Sequence, residues 1–368
     1  MVAKTGALPL ATRAGRILQR FGLSLFAGGD GLIDWYEVSG TAIDVGGEDW
    51  GRASVDPGAA GEFEEYVTRV SPHVAEFTGL SLAKPLPAPV VFNRSEWIVT
   101  AVTNLRPLLE SLLGVIFRTV AAGEREGRPS RVLRAATGAE IGLVIGYLSG
   151  RVLGQYDTPL MGGAAARGSI YFVHPNIMEA ERRLALAPRD FRLWLALHEV
   201  THGFQLEANP WIKDYLKELV EEQAGYLGAR LAREAGNGII FAKHLRRLIS
   251  PEENPMMAKV QALMSVLEGY SEYVMETAGV DIIGGSGIAA VFDEARRSRS
   301  RPYQLIERLI GLDTKVQQYR SGYLFVKQAA DAGGMSLANL VWEGPGNMPT
   351  LTELSRPDLW ITRMFKSK

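Results

Sequence analysis

The stretch that most constrains the fold is residues 193–207, which read LWLALHEVTHGFQLE. It has the apolar spacing of a buried helix, yet it contains His198, Glu199 and His202. Residues four apart on a helix lie on one face, so the two imidazoles point the same way and can bind one cation. Glu199 lies beside the first of them, where it can act as general base toward a metal-bound water.

The competing interpretation is a core helix whose two histidines bond to backbone or carboxylate groups. The chain has 5 histidines in 368 residues. Chance alone gives the HExxH spacing in roughly four of a thousand such sequences. The pattern therefore favours a metal-binding helix.

A catalytic zinc site needs a third protein ligand and an open position for water. The metzincin pattern HExxHxxGxxH would supply that ligand on the same helix, but Gln205 and Ala208 stand at its last two positions. Glu207, five residues beyond His202, lies about 140° around the helix and points away. We therefore expect a ligand from a second helix. Zinc is the cofactor we expect, although the same donors suit other divalent ions.

The segment LMSVLEGYSEYVMETAG carries Glu268 and Glu272 one turn apart in an apolar helix. Carboxylates are costly to bury without a partner, and a zinc ion would be one. We expect Glu268 to bind the metal and Glu272 to accept the free ring N–H of a ligating histidine. Gly269 would let another backbone come close.

Other assignments of these carboxylates stay open. Glu272 and Glu276 form a solvated helix face in the simplest alternative. The segment KELVEEQAG holds rival ligands, namely Glu218, Glu221 and Glu222.

The composition narrows the function classes. The chain has no cysteine, which excludes disulfides, thiolate metal sites and cysteine nucleophiles. Its formal net charge is -1, which gives no sign of a nucleic-acid partner.

The N-terminal segment lacks the continuous apolar region and cleavage site of a secretory signal, so we expect a cytoplasmic protein. Residues 10–26 predict a basic amphipathic helix docked on the body, with a membrane-surface role as the alternative.

Glycines recur at every fourth position in GAEIGLVIGYLSGRVLGQYD, from Gly138 through Gly142, Gly146 and Gly150 to Gly154. On a helix this spacing places them on one face, where another helix can approach closely. The uncharged part is too short to span a membrane. We expect a buried helix of a soluble core and no transmembrane segment, with an oligomer interface through this helix as the alternative.

Helical spacing dominates the first 160 residues, apart from a connection rich in Gly, Asp and Ser at residues 39–61. The segment GSIYFVHPNI predicts a strand from Ser169 to Val173 or His174. The edge of that strand would be available to pair with an extended peptide, and an internal strand is the alternative.

Asp190 is the expected N-cap of the HExxH helix, and Asn209 and Pro210 are expected to end it. Further helices are predicted at residues 211–235, 240–248, 255–278, 288–298, 303–311 and 313–332. We predict an α+β, predominantly helical fold, with a helical lobe at residues 1–158 and a metal-binding lobe at residues 159–368 packed as one continuous unit.

Five segments, IDWYEV, DFRLWLALHEVTH, LMSVLEGYSEYVME, GLDTKVQQYRSG and NMPTLTELSRPDLW, span nearly the whole chain. They resemble a bacterial family of zinc-dependent metallopeptidases described as associated with deazaflavin-coenzyme biosynthesis. The resemblance implies a zincin-like catalytic core with a small sheet and extra N-terminal helices. It also implies His198, His202 and Glu268 as metal ligands and Glu199 as catalytic base. The family's EGH pattern reads EGY here, because Tyr270 replaces a histidine.

These observations predict a zinc hydrolase, foremost a metallopeptidase acting on a peptide or small amide substrate. Zinc would activate a water and Glu199 would take its proton. The developing oxyanion needs a further donor, for which Tyr319 in VQQYRSG is a candidate beside Tyr270 and His174. The alternative from another class is a catalytically silent zinc-containing binding or scaffold protein, which a closed site of four protein ligands would indicate.

Overall fold

The computed structural model of the chain describes residues 31–46, 55–121, 130–158, 167–234, 255–283 and 316–366. Within these ranges the protein is mostly helical, with a small three-stranded mixed sheet. The α+β, predominantly helical class predicted from the sequence is therefore confirmed. The helices predicted at residues 10–26, 240–248, 288–298 and 303–311 lie outside the described residues.

The described elements follow one another along the chain. The first part comprises α1 (Trp35–Gly46), α2 (Ala59–Thr78), β1 (Val90–Phe92), α3 (Arg94–Ala121), α4 (Arg131–Ser149), β2 (Gly154–Asp157) and β3 (Ser169–Val173). The middle part comprises α5 (His174–Leu184), α6 (Pro188–Ala208), α7 (Trp211–Glu234), α8 (Pro255–Thr277) and α9 (Gly279–Ile283). The last part comprises α10 (Val316–Ala338), two short 3-10 helices (Asn339–Glu343 and Pro345–Asn347), α11 (Leu351–Ser355) and α12 (Pro357–Lys366).

Residue contacts divide the chain into two compact units. The first contains α1, α3 and α4, and the second contains α2, β2, β3, α5, α6 and α8 to α12. The two lobes proposed at residues 1–158 and 159–368 stay a prediction, since a unit defined by contacts need not be a folding domain.

In the first unit, the glycine face of α4 packs against the main chain of α1. A methyl group added at Gly138 would come within 2.6 Å of the carbonyl oxygen of Asp34, just before α1, and one at Gly142 within 2.6 Å of that of Val38. One added at Gly146 would come within 2.8 Å of the Ala42 carbonyl oxygen. The close helix approach predicted for these three glycines is thus made within the chain. The helix ends at Ser149, so Gly150 and Gly154 are not on it, contrary to the prediction. Oligomerisation through α4 stays a prediction.

The connection predicted at residues 39–61 is wrong for its first part, because residues 39–46 belong to α1. Ser39, Ala42 and Ile43 are buried, and the Ser39 hydroxyl donates to the Trp35 carbonyl one turn earlier. Small residues that look like loop formers in the sequence are needed here because α4 lies so close. The helical spacing then resumes at Ala59, three residues before the predicted start.

One helix among the described residues is apolar and long enough to cross a membrane, over Arg94–Val115 of α3. Only 11% of its most apolar window is buried. The criterion rests on length and composition alone, and one helix that meets it is weak evidence of a membrane span. The absence of a transmembrane segment therefore stays a prediction.

In the second unit, aromatic side chains link the sheet and the outer helices. Phe63 of α2 stacks on Phe172 of β3 with ring centroids 4.1 Å apart, and Phe325 of α10 meets Trp360 of α12 edge-on at 4.9 Å. Each of these four side chains is fully buried. They form part of one continuous core, against which α6 and α8 also pack.

Helix α6 begins after Ala187, with Pro188 at its first position, where the missing N–H of proline has no helical partner to lose. The predicted N-cap, Asp190, instead lies in the first turn, where its negative charge interacts favourably with the helix dipole. The helix ends at Ala208, immediately before Asn209 as predicted.

The strand predicted at Ser169–Val173 is confirmed as β3, but it is the central strand of the order β1-β3-β2. Its edges are therefore occupied, so of the two interpretations left open by the sequence, a peptide-binding edge is wrong and an internal strand is confirmed. The antiparallel neighbour β2 places Gly154 opposite Phe172 and Asp157 opposite Ser169. Within the described residues, β2 has a neighbour on one side only.

Candidate metal centre

Three side chains from α6 and α8 converge on one point. Nε2 of His198 and Nε2 of His202 are 3.1 Å apart, and each lies 3.7 Å from a carboxylate oxygen of Glu268. The potential ligand atoms of these three residues all lie within 4.8 Å of one another, close enough to bind one metal ion. Among the described residues they are the group of His and acidic side chains that meets this criterion. The side chains of His198 and Glu268 keep 22% and 30% of their exposure, so the point is accessible from solvent.

The arrangement fits a zinc ion. With metal–ligand bonds of about 2.0–2.1 Å, ligand atoms of a tetrahedral site lie roughly 3.3 Å apart, between the observed 3.1 and 3.7 Å. Two imidazoles and one carboxylate, with a fourth position left for water, are a donor set that catalytic zinc sites use. His198, His202 and Glu268 could therefore hold the metal together.

Glu199 is buried next to this cluster and faces β2. A methyl group added at Gly154 would lie 2.6 Å from its Oε1, and the backbone N–H of Tyr156 donates to its carboxylate. Burial raises the pKa of Glu199 to about 7, against the opposing effect of nearby His202. A carboxyl group with a pKa near neutrality is suited to both accept and release a proton.

The two histidines differ in charge. Burial and the positive charge of His202 lower the pKa of His198 to about 4. Burial also opposes the charge of His202, but the Glu268 carboxylate outweighs it and raises the pKa of His202. The same pairing holds the pKa of Glu268 below its usual range despite burial. A cation bound at this point would replace the positive charge of His202 opposite the Glu268 carboxylate.

The outward ring nitrogens of the histidines have partners that the sequence analysis did not single out. Nδ1 of His202 lies 2.8 Å from Oε1 of Gln205 and 3.2 Å from the Ser271 hydroxyl, and Nδ1 of His198 lies 3.1 Å from the sulfur of Met275. A signal existed, since Ser271 and Met275 follow Glu268 by three and seven residues and share its helix face.

Glu272, the predicted partner of a ligating histidine, is half-buried on α8, and its role stays a prediction. Tyr319 falls on α10, but its side chain lies outside the described residues, so its role as oxyanion donor also stays a prediction. The rival ligands on α7 are exposed to solvent, namely Glu218, Glu221 and Glu222.

The other residues weighed as donors or ligands are buried or hydrogen-bonded to groups outside the cluster. Tyr270 is fully buried and donates to the side chain of Asn339 at 2.8 Å. His174 is buried, and burial together with the charge of Arg192 lowers its pKa. Glu207 accepts hydrogen bonds from the Tyr156 hydroxyl, the Gly168 N–H and the Lys213 ammonium.

Next to Glu268, α8 and α10 are in close contact at a glycine. A methyl group at Gly269 would collide with the main chain at Gly322 and Tyr323, its distance to the Gly322 carbonyl oxygen being 2.6 Å. The prediction that Gly269 lets another backbone come close is therefore confirmed. The helix that carries the carboxylate ligand rests directly on the backbone of its neighbour.

The helical fold and the His-His-Glu site define a protein of the zincin class. A family model of zincin-like metallopeptidases matches residues 33–361, and the chain belongs to this family. It is 30% identical to a protein from Chloroflexus aurantiacus, over 90% of this chain and 98% of that one, with a TM-score of 0.64. The crystal structure of that protein is described as a "putative hydrolase with a novel fold". A comparison with curated proteins found no match.

The predicted resemblance to a zincin-like family is thereby confirmed. Family and neighbour together support a hydrolase of the metallopeptidase class, and the family implies zinc.

Proposed function

We propose that the protein is a zinc-dependent metallopeptidase in which Glu199 is the general base. The observation that carries the proposal is the convergence of His198, His202 and Glu268 on one accessible point, with the Glu199 carboxylate buried beside it. We also propose a peptide or small amide substrate and a cytoplasmic location, as expected from the sequence.

The roles of the residues follow from their chemistry. A zinc ion held by the three ligands would activate a water and polarise the scissile carbonyl. Glu199 takes a proton from the attacking water and returns it to the leaving amine nitrogen, the role of a general base and then of a general acid. The carboxylate is held in place for this by the N–H of Tyr156.

An extended substrate would align along β2, the strand next to Glu199. The N–H of Val173 bonds to the carbonyl of Leu153, so in the antiparallel ladder the main-chain groups of Gly154 and Tyr156 face away from β3. The Tyr156 N–H is taken by Glu199, which leaves the N–H and carbonyl of Gly154 and the carbonyl of Tyr156 on this edge for a substrate. Main-chain groups at a free strand edge can bind a peptide as an additional strand. This edge would place the scissile bond near the three ligands.

The first test is metal content by elemental mass spectrometry, on protein purified without added metal. We expect close to one zinc per chain in the native protein and none in H198A or E268A. E218Q, which changes an exposed carboxylate of α7, is the control and should keep the metal. Protein that takes up no zinc even when it is offered would overturn the proposal.

The second test separates the base from the ligands. Peptide mixtures are incubated with native protein and E199Q, and the products are followed by mass spectrometry. We expect E199Q to keep zinc and to lose hydrolysis by about 10²–10⁴-fold. Undiminished turnover in E199Q would exclude Glu199 as the base.

The alternative of a catalytically silent zinc protein predicts a closed site of four protein ligands. Among the described residues the cluster contains three, and they are partly exposed, which favours the enzyme. Zinc binding without hydrolysis of any peptide by the native protein would favour the silent alternative.

A further inference from the structure

Gln205 is a fully buried side chain that links the two helices carrying the metal ligands. Its Oε1 lies 2.8 Å from Nδ1 of His202 on α6, and its Nε2 donates to the carbonyl of Leu267 on α8 at 2.9 Å. We propose that Gln205 is a positioning residue, which presents Nε2 of His202 to the metal and ties this ligand to the backbone beside Glu268. The inference rests on the proposed zinc site.

The Leu267 carbonyl determines which way the amide of Gln205 faces. A backbone carbonyl only accepts hydrogen bonds, so the amide nitrogen must be turned toward it. The amide oxygen is then turned toward His202, and because this oxygen also only accepts, Nδ1 must carry a proton. In a neutral imidazole, Nε2 is then the nitrogen with the free lone pair that a metal ion needs.

The same side chain couples the two ligand-bearing helices. Leu267 immediately precedes Glu268, so the bond to its carbonyl holds the backbone of the carboxylate ligand at a fixed distance from α6. The Ser271 hydroxyl, at 3.2 Å from the same Nδ1, is a longer second contact. We therefore expect the loss of Gln205 to weaken metal binding and not to abolish it.

The first experiment measures zinc affinity by competition with a chromophoric chelator. Q205M removes both hydrogen bonds and keeps an unbranched side chain of similar length. We expect its zinc affinity to fall about 10–100-fold, as for other partners of ligating histidines. T201V is the matched control, because Thr201 is equally buried on α6 but its hydroxyl donates to the Leu197 carbonyl of the same helix. Its zinc affinity should be unchanged.

Q205E separates the two hydrogen bonds and serves if Q205M fails to fold. It keeps an oxygen opposite Nδ1 of His202 but loses the donor for the Leu267 carbonyl. We expect Q205E to bind zinc clearly more tightly than Q205M, even if it unfolds more readily. Equal weakening in both folded variants would show that the acceptor for Nδ1 is irrelevant, and would overturn the proposal.

Nitrogen-15 NMR of the imidazoles gives a readout that a merely structural residue would not move. In the zinc-loaded native protein we expect His202 to have a slowly exchanging proton on Nδ1, which exchanges faster in Q205M. A proton on Nε2 of His202 would contradict the inference.

The two proposals fail in different ways. If the native protein binds zinc and Q205M binds it equally well, only the positioning role is overturned. If the native protein binds no zinc, the proposed function is overturned, and the positioning role with it. Peptide hydrolysis does not enter either measurement.

Discussion

At the scale of single residues, a methyl group added at Gly154 would displace the proposed general base and would not contact the metal ligands. The added Cβ would lie 2.6 Å from Oε1, 2.9 Å from Cγ and 3.0 Å from Cδ of Glu199. We expect G154A to push the carboxylate aside and to lower kcat/KM about 10²-fold, the effect of a misplacement of about 1 Å. Zinc content should be unchanged.

The control for G154A is G150A, since a methyl group at Gly150 meets nothing within 4 Å. Both variants would be assayed for zinc content and peptide hydrolysis. Normal kcat/KM in a folded G154A would mean that the position of the Glu199 carboxylate does not limit the reaction.

Glu207 gives a prediction about stability and pH. Burial opposes its charge, but Lys213, the Gly168 N–H and the Tyr156 hydroxyl outweigh burial and hold its pKa below the usual 4.5. A group with a lowered pKa stabilises the fold above its unfolded pKa, and this stability is lost as the pH falls through the folded value. E207Q should therefore be less stable than the native protein at pH 7, with a difference that shrinks as the pH falls below about 4.5.

The measurement for E207Q is the free energy of unfolding in urea at a series of pH values. E218Q, exposed on α7, should follow the native curve throughout. A difference between E207Q and native protein that stays constant down to the lowest pH would contradict the ionic role of Glu207.

At the scale of helices, the contact between α1 and α4 predicts opposite effects at two glycines of the first unit. A Cβ at Gly142 would lie 2.6 Å from the Val38 carbonyl and 2.7 Å from Cβ of Thr41, whereas one at Gly40 meets nothing within 4 Å. Overpacking costs about 1–3 kcal/mol. In an open helical position alanine gains about 0.5–1 kcal/mol over glycine.

We expect G142A to speed hydrogen exchange in peptides from α1 and α4, and G40A to slow it or leave it unchanged. The pair controls for helix propensity, because both changes replace glycine by alanine inside a helix. Equal hydrogen-exchange rates in the two variants would mean that a methyl group at Gly142 does not disturb the packing of α1 against α4.

Residues 39–46 show why element boundaries are hard to obtain from the sequence at such a contact. Glycine, serine and threonine there indicate a loop by composition. The structure uses the small size of Ser39 and Ala42 to bring α1 against the glycines of α4. The long apolar helices α6 and α8 were predicted to within a few residues, because the helical spacing of their apolar residues is sufficient to identify them.

At the scale of the whole molecule, the class of fold and the family were predictable, whereas the pairing of elements was not. Helical spacing places His198 and His202 on one face, and the buried acidic helix indicated Glu268. The central position of β3 and the link from Gln205 to Leu267 depend on neighbours distant in sequence. Local patterns contain no information about which elements become those neighbours.

The backbone contact between Gly269 and Gly322 has a consequence for protein engineering. Where side chains separate two helices, their spacing can be adjusted by exchanging larger residues for smaller ones. Here no side chain intervenes, so the spacing of α8 and α10 at this point cannot be adjusted in that way. A designer who wants this scaffold to prefer another divalent ion can leave this contact untouched and exchange a donor atom, for example the carboxylate of Glu268 for an imidazole.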